Sequence, residues 1–388
     1  MAYENVLKKP NDFNFKVQQL GLVQHDNPSD HKIFINDVKR IAFSNQVKSL
    51  SRQFKTKNPI PSFEKADAKK KIFHDLSTTR VGIITCGDLY LGLNNVIKGL
   101  VNVLEQSYGV ETIFGIRDRY KGLTKQSQHQ PIRLTASNIN QIHKQGGTIL
   151  GSSRGNQDPE EKVSELQAGN INILFCMGSD RTLKGAQAIA NTANQRNANI
   201  SIVGVSETID NELGLVEKTF GFETSVQIAA DIISSTYSEA EGAENGIGII
   251  KLMGRDSGFI TAKASLANSV VDFCLIPETP FQIVRPDSIC EAIHKRLEQK
   301  NRAVIVVAEE AGQDLFKNAK KNIDASGNIL KGDFEKVPKY SLSEYFSHKK
   351  SESVLNTMTR AAASVAWPPT PRMQSFAIYL LNMQCMQE

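Results

Sequence analysis

Apolar residues along this chain come in short β-rich runs, each closed by a glycine or a polar turn and followed by a stretch with helical spacing. Val81-Gly82-Ile83-Ile84-Thr85-Cys86 ends at Gly87 and leads into a helix-like segment through Val101. Ile171 to Met177 ends at Gly178 and leads into another through Ala190. Ile200 to Val205 closes in a polar turn, Ile247 to Leu252 closes at Gly254, and Ala303 to Ala308 closes at Glu309 and Glu310. Strands alternating with helices predict an α/β fold with mostly parallel sheets, in which ligands sit at the carboxyl ends of the strands. The residues just after each apolar run are therefore the candidates for function. Before Arg80 the chain is polar, has no sustained period and is interrupted by Pro10, Pro59 and Pro61. That segment is expected to be an extension laid over a domain or used at a subunit contact.

With 388 residues the chain can form two domains with separate cores. A net charge of +5 is mild, and part of it sits in Lys69-Lys70-Lys71, a run best read as a solvated face. No aromatic residues interleave with basic ones as nucleic-acid binding would need, so no nucleic-acid partner is expected. No apolar run reaches the roughly 18 residues of a membrane span, and the N-terminus lacks a secretory pattern. The expectation is a cytoplasmic protein without a membrane partner. The five cysteines (Cys86, Cys176, Cys274, Cys290, Cys385) have neither metal-ligand nor CxxC spacing, and are expected to be buried free thiols. The seven histidines show no pairing with acids that suggests catalysis.

Four turns carry candidate chemistry. After the first strand, Gly87 and Asp88 precede a helix, where backbone N–H groups can wrap a phosphate; such a turn equally uses Gly for steric reasons alone. In the second, Met177-Gly178-Ser179-Asp180-Arg181-Thr182, Asp180 is either a Mg²⁺ ligand or a helix cap. The third, Ser206-Glu207-Thr208-Ile209-Asp210-Asn211-Glu212, gathers three acids around a Thr, suiting either a general-base and metal site or a solvated acidic loop. The fourth, Met253-Gly254-Arg255-Asp256-Ser257-Gly258, places Arg255 on a glycine turn, as a phosphate clamp or as a surface residue.

Taken in order, these turns resemble the phosphofructokinase family, and in particular its longer branch found in plants and trypanosomatids. The resemblance runs from about Ile33 to about Lys350. It takes in Gly146 to Gly155, Lys218-Thr219-Phe220-Gly221-Phe222-Glu223-Thr224, Ile276-Pro277-Glu278-Thr279-Pro280-Phe281, and Val307 to Gln313. It implies two Rossmann-like domains: an N-terminal extension over 1–80, a donor-binding domain over 81–220 and a sugar-phosphate-binding domain over 221–350. It implies Asp210 as the base toward the 1-hydroxyl of fructose 6-phosphate, with Thr208, Arg154 and Arg255 at the transferred phosphoryl group. Met253, Gly254, Arg255 and Glu309 would hold the sugar phosphate. Gly87, Asp88, Arg154, Gly178, Ser179, Arg181 and Thr182 would hold the donor phosphates, with Asp180 on Mg²⁺. The donor would be ATP or pyrophosphate, and the assembly a homo-oligomer or a hetero-oligomer with an active paralogue.

The chain departs from the family pattern at the donor turns. Asp88 stands where the family has a second glycine, Ser179 and Arg181 replace two more, and Glu207 reverses a charge. A like-charge contact there would cost about 4 kcal/mol at an effective dielectric near ~20, unless Arg181 or Lys184 compensates. The alternative function is therefore a non-catalytic paralogue that binds the sugar phosphate and regulates or assembles with an active subunit. After Lys350 the family pattern is lost, and reading from the third base of each codon partly restores it. Residues 351–388 are accordingly expected to be an out-of-frame tail, produced by a one-base slip near the adenine-rich codons of Lys349 and Lys350.

Overall fold

A computed structural model describes residues 17–312 except 31–32, 37, 57–59, 87–90, 152–157, 255–256 and 284–287, with short strands at 322–323, 329–330 and 358–361. These residues fall in two compact units: one runs to Glu207 and includes Leu213–Glu217, the other comprises Thr208–Glu212 and continues from Lys218.

In the first unit, the segment before Arg80 carries short elements of its own. It forms β1 (His25–Asp26), β2 (Arg40–Ala42), α1 (Val47–Thr56), β3 (Ser62–Glu64) and β4 (Lys71–Ile72), with antiparallel β1/β4 and β2/β3 pairs. The imidazole of His74 is buried against the Ser201 hydroxyl at 2.8 Å, and burial pushes its pKa down to about 4. Next come β5 (Arg80–Thr85), α2 (Leu93–Asn102), β6 (Thr112–Ile116), β7 (Ile132–Arg133), α3 (Pro159–Ala168), β8 (Ile173–Gly178), α4 (Asp180–Gln195) and β9 (Ser201–Thr208). The strand order β9-β8-β5-β6-β7 is parallel except for the last pair. Ile84, Cys86, Leu174 and Cys176 from one face of the sheet pack with Val163 and Leu166 of α3 and Ala186 and Ile189 of α4.

The second unit carries α5 (Phe222–Glu241), β10 (Gly246–Leu252), α6 (Phe259–Ala267), β11 (Phe273–Leu275), α7 (Ile289–Lys300), β12 (Arg302–Ala308) and β13 (Met358–Ala361). Its sheet is wholly parallel in the order β11-β12-β10-β13. Alternate positions of β10 and β12, including Ile247, Ile249, Ile305 and Val307, pack against Ile293 and Leu297 of α7. From the expected out-of-frame segment only β13 is described, running beside β10 with Leu252 opposite Ala361. The rest of 351–388, including Cys385, lies outside the described residues.

Two expectations need correction. Cys274 is exposed, whereas Cys86, Cys176 and Cys290 are buried free thiols as expected. The third apolar run does not stop at Val205 but continues to Thr208, because β8 extends to Gly178 and pairs it with Ser206. Ser206, Glu207 and Thr208 are thus strand residues, and two of the residues expected in a polar turn are inside the protein.

Candidate functional site

The first unit supplies the turn between β8 and α4. Gly178 has φ +154, and a Cβ there would come within 2.0 Å of the Cys86 carbonyl oxygen and 2.4 Å of Thr182 Oγ1. No side chain fits, so glycine is required here by close approach of two strand ends. Gly178→Ala should cost about 2–3 kcal/mol in chemical denaturation; a loss below about 0.5 kcal/mol would contradict the packing. Ser179, by contrast, has φ −79 and ψ −175, ordinary extended values, so a residue with a side chain sits there without strain. Ser179 is the cap residue and Asp180 is the first residue of α4. The Ser179 carbonyl accepts from the Thr182 and Leu183 amides, at 2.8 and 3.1 Å. The amides of the first turn face an end of the helix where the dipole favours an anion.

Thr182 is buried, and its hydroxyl donates to the Cys86 carbonyl at 3.2 Å, tying α4 to the end of β5. Tyr120 Oη donates to the Thr182 carbonyl at 2.7 Å. The same ring lies over Gly185, where a Cβ would meet it at 2.7 Å. The Asp180 carboxylate is half-exposed and accepts from Lys184 Nζ at 2.6 Å. Arg181 is exposed. Gly87, Asp88 and Arg154 lie outside the described residues.

Glu207 departs furthest from expectation. It has no exposed surface, and among the described residues neither of its carboxylate oxygens has a hydrogen-bond partner. Burial pushes its pKa well above the usual carboxylate range and so disfavours the charged form. Burial thus works against the like-charge contact expected from sequence. Of the two cations considered as compensators, Lys184 is engaged by Asp180.

The second unit supplies the loop that starts at Thr208. Thr208 is fully buried and its Oγ1 accepts from the Asp210 amide at 3.2 Å. The Thr219 hydroxyl donates to the Thr208 carbonyl at 2.6 Å, and the Thr219 amide donates to Asn211 Oδ1 at 2.8 Å. Asn211 has φ +52, a left-handed conformation that Asn tolerates better than most residues. The Ser257 hydroxyl donates to the Asp210 carbonyl at 3.1 Å. In these hydrogen bonds Asp210 is held through its backbone amide and carbonyl, and its side chain is half-buried.

Beyond this loop, Leu252 and Ala308 are register partners at the ends of β10 and β12, which brings Met253 and Glu309 to neighbouring strand ends. Both are half-buried. Gly254 has φ +149, and a Cβ there would come within 2.5 Å of the Ser257 carbonyl. Arg255 lies outside the described residues. The Glu278 carboxylate accepts from the Gly258 amide through both oxygens, at 2.9 and 3.1 Å, at the start of α6. Sequence reasoning gave Glu278 no role, although its place after an apolar run and a proline was a usable signal. Glu223 at the start of α5 is paired with Lys218 and Lys263, which hold its carboxyl low against the opposing effect of burial.

Glycine-dependent, hydrogen-bonded turns at the ends of mostly parallel strands, one of them opening a helix, define an α/β protein with doubly wound sheets. The phosphofructokinase family model matches residues 80–366, and this chain belongs to the phosphofructokinase family. It is 38% identical over 362 residues to the ATP-dependent 6-phosphofructokinase of Borreliella burgdorferi, covering 89% of this chain and 80% of that protein. It is 36% identical over 386 residues to the enzyme of the same name from Amycolatopsis methanolica, covering 95% of this chain and 83% of that protein. The corresponding Trypanosoma cruzi protein is 38% identical over 325 residues, covering 81% and 65%. Among solved structures, phosphofructokinase from Saccharomyces cerevisiae shares the fold with a TM-score of 0.64 at 17% identity, over 79% of this chain and 41% of that one. A pyrophosphate-dependent phosphofructokinase from Marinobacter aquaeolei does so with a TM-score of 0.63 at 16% identity, over 79% and 74%.

Proposed function

We propose that this chain transfers a phosphoryl group to the 1-hydroxyl of fructose 6-phosphate, giving fructose 1,6-bisphosphate, with ATP as the donor. The observation that carries this reading is the hydrogen-bonded Thr208–Asn211 loop after β9, which carries the half-buried Asp210. Asp210 takes the proton of the attacking hydroxyl as its oxygen bonds to the terminal phosphorus and the bond to the leaving diphosphate breaks. Thr208, whose side chain is buried, organises this loop. Arg154 and Arg255 neutralise the transferred group, and Met253, Gly254, Arg255 and Glu309 hold the sugar phosphate. On the donor side the reading assigns Gly87, Asp88, Arg154, Gly178, Ser179, Arg181 and Thr182. The choice of ATP over pyrophosphate rests on the names of the relatives that align over most of this chain.

Asp180 suits Mg²⁺: a half-exposed carboxylate at a helix start is a hard oxygen ligand, and this ion is commonly held by one or two carboxylates plus substrate phosphates. Among the described residues no cluster of three His, Cys, Asp or Glu could hold a metal, so the ion would arrive shared with the donor. Mg²⁺ would offset charge on the donor phosphates. Among the described residues no helix is long and apolar enough to cross a membrane. A cytoplasmic enzyme working as a homo-oligomer, or with an active paralogue, completes the reading.

The test is an aldolase-coupled assay of the chain as given and of a version with residues 351–388 restored to the frame of the family. Turnover with Mg-ATP is expected, highest in the restored version. If titration shows fructose 6-phosphate binding but neither ATP nor pyrophosphate supports turnover, the non-catalytic reading replaces this one. The slip itself is decided by resequencing the locus: a clean frame through Glu388, with no longer overlapping frame, would overturn it.

A further inference from the structure

Lys162 lies on the wrong side of its helix for an ordinary lysine. α3 buries Lys162, Val163 and Leu166, and the two apolar members join the core that contains Cys86 and Cys176. Lys162 itself is 3% exposed. Its Nζ lies 4.4 Å from the centre of the Tyr120 ring, and among the described residues no acceptor takes a hydrogen bond from it. Its charge bears on Cys86 and Cys176, the sulfur-bearing residues at and near the ends of β5 and β8, and on Asp158 at the start of its own helix. Arg119 bears on Cys86 as well.

This arrangement is poor as a stabilising device. Withdrawing an ammonium from water costs several kcal/mol, and a ring face returns about 2 kcal/mol at best. Burial accordingly lowers the pKa of Lys162. A methionine or leucine would fill the same space against Val163 and Leu166 without that cost. What the lysine adds is position and sign. Its partner Tyr120 holds the Thr182 carbonyl, and Thr182 holds the Cys86 carbonyl, so one chain of contacts runs from the ammonium to the strand ends of both phosphate-handling turns. The positive charge sits at the far end of those contacts, partly withdrawn from water, where salt screens it less than a fully exposed charge.

We propose that Lys162 is a positioning residue for the phosphoryl donor, fixing the Tyr120–Thr182–Cys86 contacts and keeping a positive charge at the end of that chain of contacts away from the β8–α4 turn. The inference rests on the function proposed above, and the experiment separates the two. Lys162→Met keeps the side-chain length and removes the charge; Lys162→Arg keeps the charge. In steady-state assays, Lys162→Met should raise the KM for Mg-ATP about tenfold, leave the KM for fructose 6-phosphate within twofold, and leave the melting temperature unchanged or higher. Lys162→Arg should recover most of the donor affinity. Unchanged donor KM in Lys162→Met, or equal losses for both substrates with a lowered melting temperature, would overturn the inference while leaving the function intact. If the wild type shows no turnover, titration with Mg-ATP takes the place of kinetics. Weaker donor binding by Lys162→Met than by wild type would then support the positioning role in an inactive protein, and equal binding or none by either would overturn it.

Discussion

Replacing Asp210 by Asn should lower turnover about 10²–10⁴-fold, the range by which a positioned general base accelerates proton transfer, while the KM for fructose 6-phosphate stays within about threefold. The substitution is nearly isosteric. It also keeps the hydrogen bonds that the Thr208 and Ser257 hydroxyls make with the amide and carbonyl of Asp210. The melting temperature should therefore move by no more than a degree or two. Steady-state kinetics and a thermal melt on the same preparation check both halves. A variant with turnover within twofold of wild type would remove Asp210 from the chemistry, and a large drop in melting temperature would return it to a structural role.

The second large effect concerns Glu207. In the unfolded chain its carboxyl titrates near 4.5, whereas in the folded protein burial raises its pKa well above that. The contribution of a raised acid is most favourable at or below the unfolded value and is lost as the pH rises toward the folded one. Over that interval each pH unit costs about 1.4 kcal/mol. Glu207→Gln cannot ionise and escapes this loss. Urea denaturation should find the stability of the variant relative to wild type rising from pH 5 to pH 8. A constant difference between the two proteins across that range would show that Glu207 is ionised in the folded state and has found a cation.

The sheet frameworks were legible because most of the buried parallel strands are nearly continuous apolar runs, and those before Gly87, Gly178, Gly254 and Glu309 close at a glycine or an acid. Gly178 and Gly254 could be assigned as turn glycines on that pattern, and the structure adds the reason: a carbonyl oxygen at 2.0 Å in one case and 2.5 Å in the other excludes any Cβ. What could not be read was the fate of charged residues that the fold buries. Glu207 follows an apolar run among other acids, which is the pattern of a solvated loop; only the pairing of Ser206 with Gly178 extends the strand and carries Glu207 inward. Lys162 stands in Pro-Glu-Glu-Lys, the usual start of an exposed helix, and its burial depends on Tyr120, 42 positions earlier in the chain. Cys274 failed in the opposite direction. An apolar run suggests burial on both faces, but among the described residues β11 has β12 as its one neighbour in the sheet order, and Cys274 on that strand is exposed.

The central claim, that Asp210 and its fixed loop serve transfer to the 1-hydroxyl of fructose 6-phosphate, is tested most directly by phosphorus NMR on the chain with Mg-ATP and fructose 6-phosphate. The account predicts a new sugar-phosphate resonance at carbon 1, growing in step with ADP and growing at least about 10²-fold more slowly with the Asp210→Asn protein. Conversion of ATP to ADP and free phosphate without that resonance, or an unchanged spectrum from protein that binds the sugar, would contradict it.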